Sequence, residues 1–309
     1  MRAQTVYGQD DRKDLYQVDD ARLKTLADST VGIFFGPAVR TEKDGTSKLL
    51  TLPYGKTLGL CKDERFYAQR MAAFCTGFLV APDVVATAGH CVRSPLVCPF
   101  IKFVFGYSLD REGQDPTRLA SRDVYGCSHL IARRRVPGGP DWALVRLDRP
   151  VEGHAPLALD PAGDPPEGDP LVLIGHPDGL PTKIAAGARV RGGSADRFVA
   201  NLDAFNGNSG SPVFDGRTGL VEGILVDGDK DFEWEGLCRE AHRCPDNGCK
   251  GEEVVRSSVF IHEIPKLSPK NLESLRLCSP VARIKRFRNR TTVGSLEPAS
   301  YSALGSPQS

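Results

Sequence analysis

Three absences narrow the classes of protein that this sequence can encode. No apolar run is long enough to span a bilayer, so no membrane-spanning segment is predicted. No charge of one sign dominates, because 40 lysines and arginines stand against 39 aspartates and glutamates. No internal repeat occurs at the periods of solenoid proteins. The sequence therefore predicts a globular protein without a membrane span and without the charge excess that attracts nucleic acid.

An export signal is also missing at the start. Residues 1–17 contain no apolar stretch of the kind that signal peptides require. Nine cysteines are nevertheless many for a cytosolic enzyme, and several have the spacing of disulfide-bonded proteins. Two interpretations stay open: a secreted or periplasmic protein in its mature form, or a cytoplasmic protein with reduced thiols. The cysteine content favours export.

The 32 glycines and 23 prolines favour short strands over long helices. Short β-branched or aromatic runs recur between them, beginning at Thr30, Phe74, Asp83, Phe100, Trp142, Leu171, Ala188, Arg197, Ser211, Val221 and Ser257. Many short strands separated by turns predict a β-sandwich or barrel. Helical periodicity is present only near residues 14–28 and 269–277.

The stretch FNGNSGSPVF at residues 205–214 contains a candidate nucleophile, Ser209. Glycine and asparagine around the serine tolerate positive φ, so it lies on a tight bend that turns its hydroxyl outward. A hairpin loop has much the same composition. A serine hydroxyl is a poor nucleophile at neutral pH, so catalysis also requires a base and an acid that orients it.

His90 is the candidate base. It ends the predicted strand DVVATAGHC next to Cys91, and Cys75 lies at the start of the preceding strand. A bridge between the two strands would fix the position of the imidazole. The other five of the six histidines stand in contexts where a lone histidine is usually structural.

Three motifs together resemble the chymotrypsin-like serine peptidases. They are FCTGFLVAPDVVATAGHC ending near His90, PDWALVRL containing Asp141, and GNSGSP containing Ser209. The order His, Asp, Ser matches this family and differs from that of subtilisins and α/β-hydrolases. The resemblance covers about residues 25–265, and the GNSGSP spelling is similar to that of the bacterial glutamyl endopeptidases.

The resemblance implies an all-β fold of two six-stranded antiparallel Greek-key barrels, with the active site in the cleft between them. The implied organisation is an N-terminal extension (1–28), a first barrel with His and Asp (29–150), a proline-rich connection (151–170), a second barrel with Ser (171–278) and a basic, low-complexity tail (279–309).

The same resemblance assigns the catalytic roles. Ser209 attacks the scissile carbonyl, His90 accepts and returns its proton, and Asp141 orients the imidazole. The backbone N–H groups of Gly207 and Ser209 form the oxyanion hole. The implied partner is a protein or peptide substrate, and neither a cofactor nor a metal is implied.

A preference for Arg or Lys before the scissile bond is predicted from Asp203. It stands six residues before Ser209, where trypsin-like relatives carry the acidic floor of the primary pocket. Asp227 would add negative charge from the wall strand. Leu225 occupies the position where glutamyl endopeptidases tend to place a histidine, which removes the usual partner of an acidic substrate residue.

Seven of the nine cysteines fall into two groups. The disulfide candidates of the first half are Cys75, Cys91, Cys98 and Cys127. Residue types that can bind zinc cluster later, at Cys238, His242, Cys244 and Cys249. Their spacing matches no common zinc module, so a disulfide-bonded loop is favoured over a metal site.

Two other functions remain open at this stage. A partner-activated intracellular protease would agree with the missing export signal. A catalytically silent binding module would keep the fold and use the cleft for recognition, although such relatives usually lose a member of the triad. Oligomeric state and physiological substrate do not follow from the sequence.

Overall fold

The computed structural model describes residues 5–266. In chain order its first elements are β1 (Val6–Tyr7), β2 (Lys13–Asp14), α1 (Ala21–Asp28), β3 (Thr30–Phe35), β4 (Val39–Thr41), β5 (Thr46–Leu49), β6 (Leu52–Pro53), α2 (Tyr54–Leu58), β7 (Arg70–Met71), β8 (Cys75–Ala81), β9 (Val84–Thr87), β10 (Ile101–Val104) and β11 (Arg118–Ala120). Apart from short 3-10 turns, the later elements are the strands β12 (Val124–Arg135), β13 (Asp141–Leu147), β14 (Pro170–Gly175), β15 (Lys183–Gly193), β16 (Arg197–Ala200), β17 (Pro212–Asp215), β18 (Val221–Asp227), β19 (Phe232–Glu235), β20 (Cys238–Ala241), β21 (Arg243–Cys244) and β22 (Glu252–Arg256).

Six strands of the first half close into an antiparallel barrel, in the order β3, β8, β9, β13, β12 and β10. All residues of β8 and β9 are buried, which agrees with their nearly continuous apolar sequence. Phe78, Val85 and Leu144 are among the fully buried residues of its core. The ends of β9 and β13 carry the first two candidate catalytic residues.

The second half forms another closed barrel of six strands, in the order β14, β17, β18, β22, β16 and β15. It closes because β14 pairs with both β15 and β17. Numbered along the chain, the strands of each barrel follow the same ring order, namely first, second, third, sixth, fifth, fourth. The predicted fold of two six-stranded antiparallel barrels is confirmed.

The N-terminal residues add to the second barrel instead of standing apart from it. Strand β1 pairs in parallel with β21, and β2 pairs with β15 at the edge of the barrel sheet. Helix α1 follows, within the helical segment predicted from the sequence, and the side chain of Asp20 caps its first turn. Helix α2 was not predicted, and the segment at 269–277 and the basic tail lie outside the described residues.

Within residues 5–266, four disulfides join Cys61–Cys238, Cys75–Cys91, Cys98–Cys127 and Cys244–Cys249. The second and third use the four candidates from the first half. The other two account for all three cysteines of the later cluster, which confirms the disulfide interpretation there. Four disulfides are typical of proteins that fold in an oxidising compartment. Neither α-helix within residues 5–266 could cross a bilayer.

Candidate active site

His90 and Asp141 are in direct contact. Nδ1 of His90 lies 2.9 Å from Oδ2 of Asp141, and the backbone N–H of His90 donates to Oδ1 of the same carboxylate at 3.0 Å. Asp141 is only 1% exposed, whereas the His90 side chain is partly open. Both carboxylate oxygens therefore fix the histidine, one through its ring and one through its backbone.

The barrel strands place these two residues side by side. Asp141 is the first residue of β13, which pairs with β9, and the chain leaves β9 just before His90. Between strand and histidine lies Gly89, where a Cβ atom would stand 2.6 Å from the carbonyl oxygen of Arg134 and 2.8 Å from Oδ1 of Asp141. A side chain at this position would push His90 away from its carboxylate.

Ser209 lies on a bend whose two glycines are required. Gly207 and Gly210 have φ of 92° and 91°. A Cβ on Gly210 would stand 2.0 Å from the carbonyl oxygen of Thr76, and one on Gly207 would stand 2.6 Å from that of His176. The bend is therefore packed so closely against the first barrel and the β14 end that only glycine fits on either side of the serine.

Thr76 and His176 support this bend from behind. The hydroxyl of Thr76 donates to the carbonyl of Gly207 at 2.9 Å, and its backbone N–H donates to that of Ser209 at 2.9 Å. His176 is fully buried and contacts the hydroxyls of Thr76 and Thr182 through its two ring nitrogens. Burial, together with the charge of Lys183, lowers the pKa of His176 to about 3, so its ring is neutral at ordinary pH. A structural role was expected for the histidines other than His90, and the position of His176 agrees with it.

The peptide that joins Asn206 to Gly207 is held in one orientation. The carbonyl of Asn206, which belongs to this peptide, accepts from the backbone N–H of Asp178. The N–H of Asn206 belongs to the preceding peptide and donates to Oδ1 of Asp231 at 3.3 Å. Since C=O and N–H of a trans peptide point in opposite directions, the N–H of Gly207 is directed away from Asp178. Burial raises the pKa of Asp178 to about 7 and, with the charge of Asp178, that of Asp231 to about 9.

An open cleft of about 670 Å³ connects these groups. Its lining consists of Phe35, Phe74, Cys75, His90, Cys91, Arg93, Val97, Arg135, Asn206 and Ser209. The base and the nucleophile thus face one solvent-accessible space, with Asp141 buried behind the base. Asn206 and the two arginines were not predicted from the sequence, although Asn206 directly precedes the GNSGSP motif and Arg93 directly follows GHCV.

The residues predicted to set specificity lie elsewhere. Asp203 is 4% exposed and does not line the cleft; its Oδ1 accepts from the N–H of Tyr7 at 2.7 Å and its Oδ2 from that of Asp11 at 2.8 Å. Burial and the neighbouring Asp11 raise the pKa of Asp203 to about 8. Leu225 is fully buried in the core of the second barrel, and Asp227 is partly buried at the end of β18.

Two clusters combine histidine and cysteine at metal-ligand distances. One contains His90 with the sulfur atoms of Cys75 and Cys91, and the other contains His242 with those of Cys244 and Cys249. The cysteines of each cluster are bonded to one another, so neither cluster supplies a thiolate ligand.

Comparison with known proteins agrees with this architecture. Residues 75–224 match the family model of the trypsin-like peptidase domain. Over 113 residues the chain is 32% identical to the cercarial protease of Schistosoma mansoni, covering 33% of this chain and 43% of that protein. Over 93 residues it is 34% identical to chymotrypsin-like elastase family member 3B of Macaca mulatta, covering 29% of this chain and 36% of that protein. The aligned stretches thus span less than half of the length of these relatives.

A solved structure, that of a Glu endopeptidase in complex with MPD, has a similar fold. The TM-score is 0.50 at 16% identity, and the alignment covers 84% of this chain and 97% of that chain. At such identity the likeness concerns the fold.

The fold is therefore the two-barrel fold of the trypsin-like serine peptidases. Residues 75–224, which match the family model of the trypsin-like peptidase domain, include His90, Asp141 and Ser209.

Proposed function

We propose that the protein is a serine endopeptidase that hydrolyses peptide bonds in protein substrates through an acyl-enzyme. The observation that carries the proposal is the contact between His90 and the buried Asp141, with Ser209 lining the same cleft as His90. Nδ1 of His90 is hydrogen-bonded to Asp141, so Nε2 is the nitrogen that can accept the proton of Ser209. A buried carboxylate also stabilises the imidazolium that forms during the reaction.

The reaction then proceeds in two halves. Oγ of Ser209 attacks the scissile carbonyl while Nε2 of His90 takes its proton, which gives a tetrahedral intermediate. The C–N bond breaks, and His90 returns the proton to the leaving amine. Water, deprotonated by the same histidine, then attacks the acyl-enzyme and releases Ser209.

The negative oxygen of the intermediate requires donors that are fixed in advance. We assign this role to the N–H groups of Gly207 and Ser209. The hydrogen bond from the N–H of Asp178 to the carbonyl of Asn206 supports the assignment for Gly207, because it directs the N–H of Gly207 away from Asp178. Asn208 is uncharged and 1% exposed, and its side-chain oxygen accepts from the hydroxyl of Ser211 at 3.3 Å.

The preference for Arg or Lys before the scissile bond remains a prediction, and the position of Asp203 weighs against it. Both of its carboxylate oxygens already accept backbone hydrogen bonds from residues near the N-terminus. A carboxylate used in this way has less capacity to pair with a substrate cation, and its raised pKa reduces its negative charge near neutral pH.

Export into an oxidising compartment, outside the cell or in the periplasm, is part of the proposal. Four disulfides support it, since such bonds are rare in reducing cytosol. Mass mapping of disulfides in protein isolated from its natural source tests the assignment: four oxidised pairs are expected, and free thiols at these positions would indicate a cytoplasmic protein.

Peptide-library cleavage by the full chain tests the activity, with Ser209→Ala as the blank. Cleavage by the wild type and its loss in a variant of unchanged circular dichroism and melting temperature are expected. A wild type that cleaves nothing but binds peptides in the cleft would instead identify a binding module. Activity that appears only after a second protein is added would identify a partner-activated protease.

A further inference from the structure

The charged residues that line the cleft are all basic. Among its ten lining residues, two are arginines, Arg93 and Arg135, and none is acidic. The rest of the wall is apolar or neutral, and Phe35 stacks on Phe74 with ring centres 4.3 Å apart. Two guanidinium groups beside a low-dielectric wall give the cleft a positive potential.

Arg135 is partly engaged by the triad. Its Nε lies 3.9 Å from Oδ2 of Asp141, and its side chain is 41% exposed. The carboxylate of Asp141 also contacts His90 at 2.9 Å, so its single negative charge is shared between the histidine and this arginine. The Arg135 side chain also lines the cleft and is partly open to solvent.

Arg93 is free of such engagement. It lies two residues after Cys91, its side chain is exposed, and within residues 5–266 its guanidinium forms no ion pair. The disulfide between Cys75 and Cys91 fixes the backbone from which the side chain extends. An arginine that borders a reactive serine without a partner carboxylate is able to accept one from a ligand.

We propose that Arg93, with Arg135, forms a subsite for an acidic side chain of the substrate, aspartate or glutamate, on the leaving-group side of the scissile bond. This rests on the proposed function. His90 returns its proton to the leaving amine, so the residues that follow the scissile bond pass the cleft wall next to His90. Cys91 and Arg93 follow His90 closely in the chain and line the same cleft, whereas Asn206 and Ser209 belong to the nucleophile loop.

Physical chemistry favours an acid here over a base or an apolar group. A carboxylate can form two parallel hydrogen bonds with one guanidinium, and charge-assisted bonds of this kind are stronger than neutral ones. A lysine or arginine of the substrate would face two like charges. The stacked rings of Phe35 and Phe74 line the same cleft, and apolar surface near an ion pair lowers the local dielectric and strengthens the pair.

The experiment compares internally quenched peptides that share one cleavable sequence and differ at a single position. Glu, Gln or Lys is placed in turn at each of the three positions after the scissile bond, and kcat/KM is measured at low and high salt. The enzymes are wild type, Arg93→Gln, Arg93→Glu and Arg122→Gln. Arg122 is the matched control, because its side chain is 85% exposed, does not line the cleft and loses the same charge.

At one position the wild type is expected to prefer Glu over Gln by about 5- to 20-fold at low salt, and less at high salt. Arg122→Gln should keep this ratio. Arg93→Gln should reduce it to below about 2, and Arg93→Glu should favour Lys over Glu, since the sign of the subsite is inverted.

Equal cleavage of the Glu and Gln peptides by the wild type, or an unchanged ratio in Arg93→Gln, would overturn the subsite while leaving the peptidase assignment intact. A wild type that cleaves none of the peptides, the Gln peptides included, would overturn the proposed function and the subsite with it.

Discussion

The guanidinium carbon of Arg12 lies 4.0 Å from the ring centre of Phe205, the first residue of the loop that carries Ser209. Arg12 is 2% exposed and forms two hydrogen bonds with Asp10, at 2.9 and 2.6 Å. A cation from the N-terminal segment is thus buried against the nucleophile loop. Asn208 carries no charge and therefore forms no ion pair with the N-terminal segment. That segment contacts this region through Phe205 and Asp203 instead.

Replacement of Arg12 is expected to destabilise the protein. Arg12→Met leaves Asp10 buried with Arg65 as its remaining partner, and the loss of one partner of a buried ion pair costs about 3 kcal/mol. Arg65→Met is the matched control, because Arg65 is 36% exposed and its loss should cost about 1 kcal/mol or less. Urea unfolding of both variants checks the difference, and equal losses would contradict it.

Asp203→Ser is expected to lower stability more than it changes substrate preference. The substitution removes the acceptors of two backbone donors, those of Tyr7 and Asp11, which costs about 1–3 kcal/mol for each donor left unpaired. Urea unfolding and library profiling of the same preparation separate the two effects. A variant of wild-type stability that no longer prefers Arg or Lys would restore Asp203 as the floor of the primary pocket.

Gly210→Ala is expected to remove activity and to unfold the nucleophile loop. The new Cβ would combine a strained φ of 91° with atoms at 2.0 and 2.2 Å, the carbonyl oxygen of Thr76 and the hydroxyl of Thr87. Gly153→Ala is the matched control, since Gly153 has φ of 85° but no atom within 4 Å of its Cβ. The control should lose about 1 kcal/mol through backbone strain alone. Similar melting temperatures for the two variants would show that the close packing of the bend does not contribute to stability.

Glu222→Gln is expected to stabilise the protein increasingly as pH rises from about 4.5 to about 7, and fully above that range. Burial, with the charges of Asp160 and Asp215, raises the pKa of Glu222 to about 7, and its Oε2 has no hydrogen-bond partner. Between the unfolded pKa near 4.5 and the folded value, the folded state holds a proton that the unfolded state has lost. Stability therefore falls as pH rises through this window, by about 1–3 kcal/mol in total.

The measurement is the free energy of unfolding of wild type and Glu222→Gln at pH 4 and pH 8. The two proteins should differ little at pH 4, where the carboxyl is neutral in both states. The variant should be more stable at pH 8, and a wild type that is the more stable there would contradict a raised pKa.

Local patterns in the sequence predicted much of this architecture. Short turn-bounded runs predicted most of the barrel strands, but β12 and β22 were missed, and the run from Ser257 forms 3-10 turns. Four cysteines of the first half were predicted as disulfide candidates without their pairing, and they form two disulfides. Contacts between distant parts of the chain were not predicted. Cys61 and Cys238 are 177 residues apart, and β1 and β2 are two-residue strands whose hydrophobic pattern is too short to indicate their partners.

Asp203 shows why its distance in sequence from Ser209 was insufficient to predict its role. The offset gives the position of Asp203 along the loop but says nothing about Tyr7 and Asp11, which reach its carboxylate from the other end of the sequence. Arg93 and Arg135 were missed for a related reason. A charged residue on a loop can be recognised as part of a binding site only when the structure shows which other charged residues line the same cleft.

The most direct test of the central claim is the rate at which a fluorophosphonate labels Ser209, compared between wild type and Asp141→Asn. If the carboxylate orients His90 to activate the serine, wild type should be labelled at Ser209 alone, as peptide mapping will show. The variant should react slower by about 10³- to 10⁴-fold, since the amide favours the wrong imidazole tautomer. Equal labelling rates, or labelling at another residue, would contradict the triad.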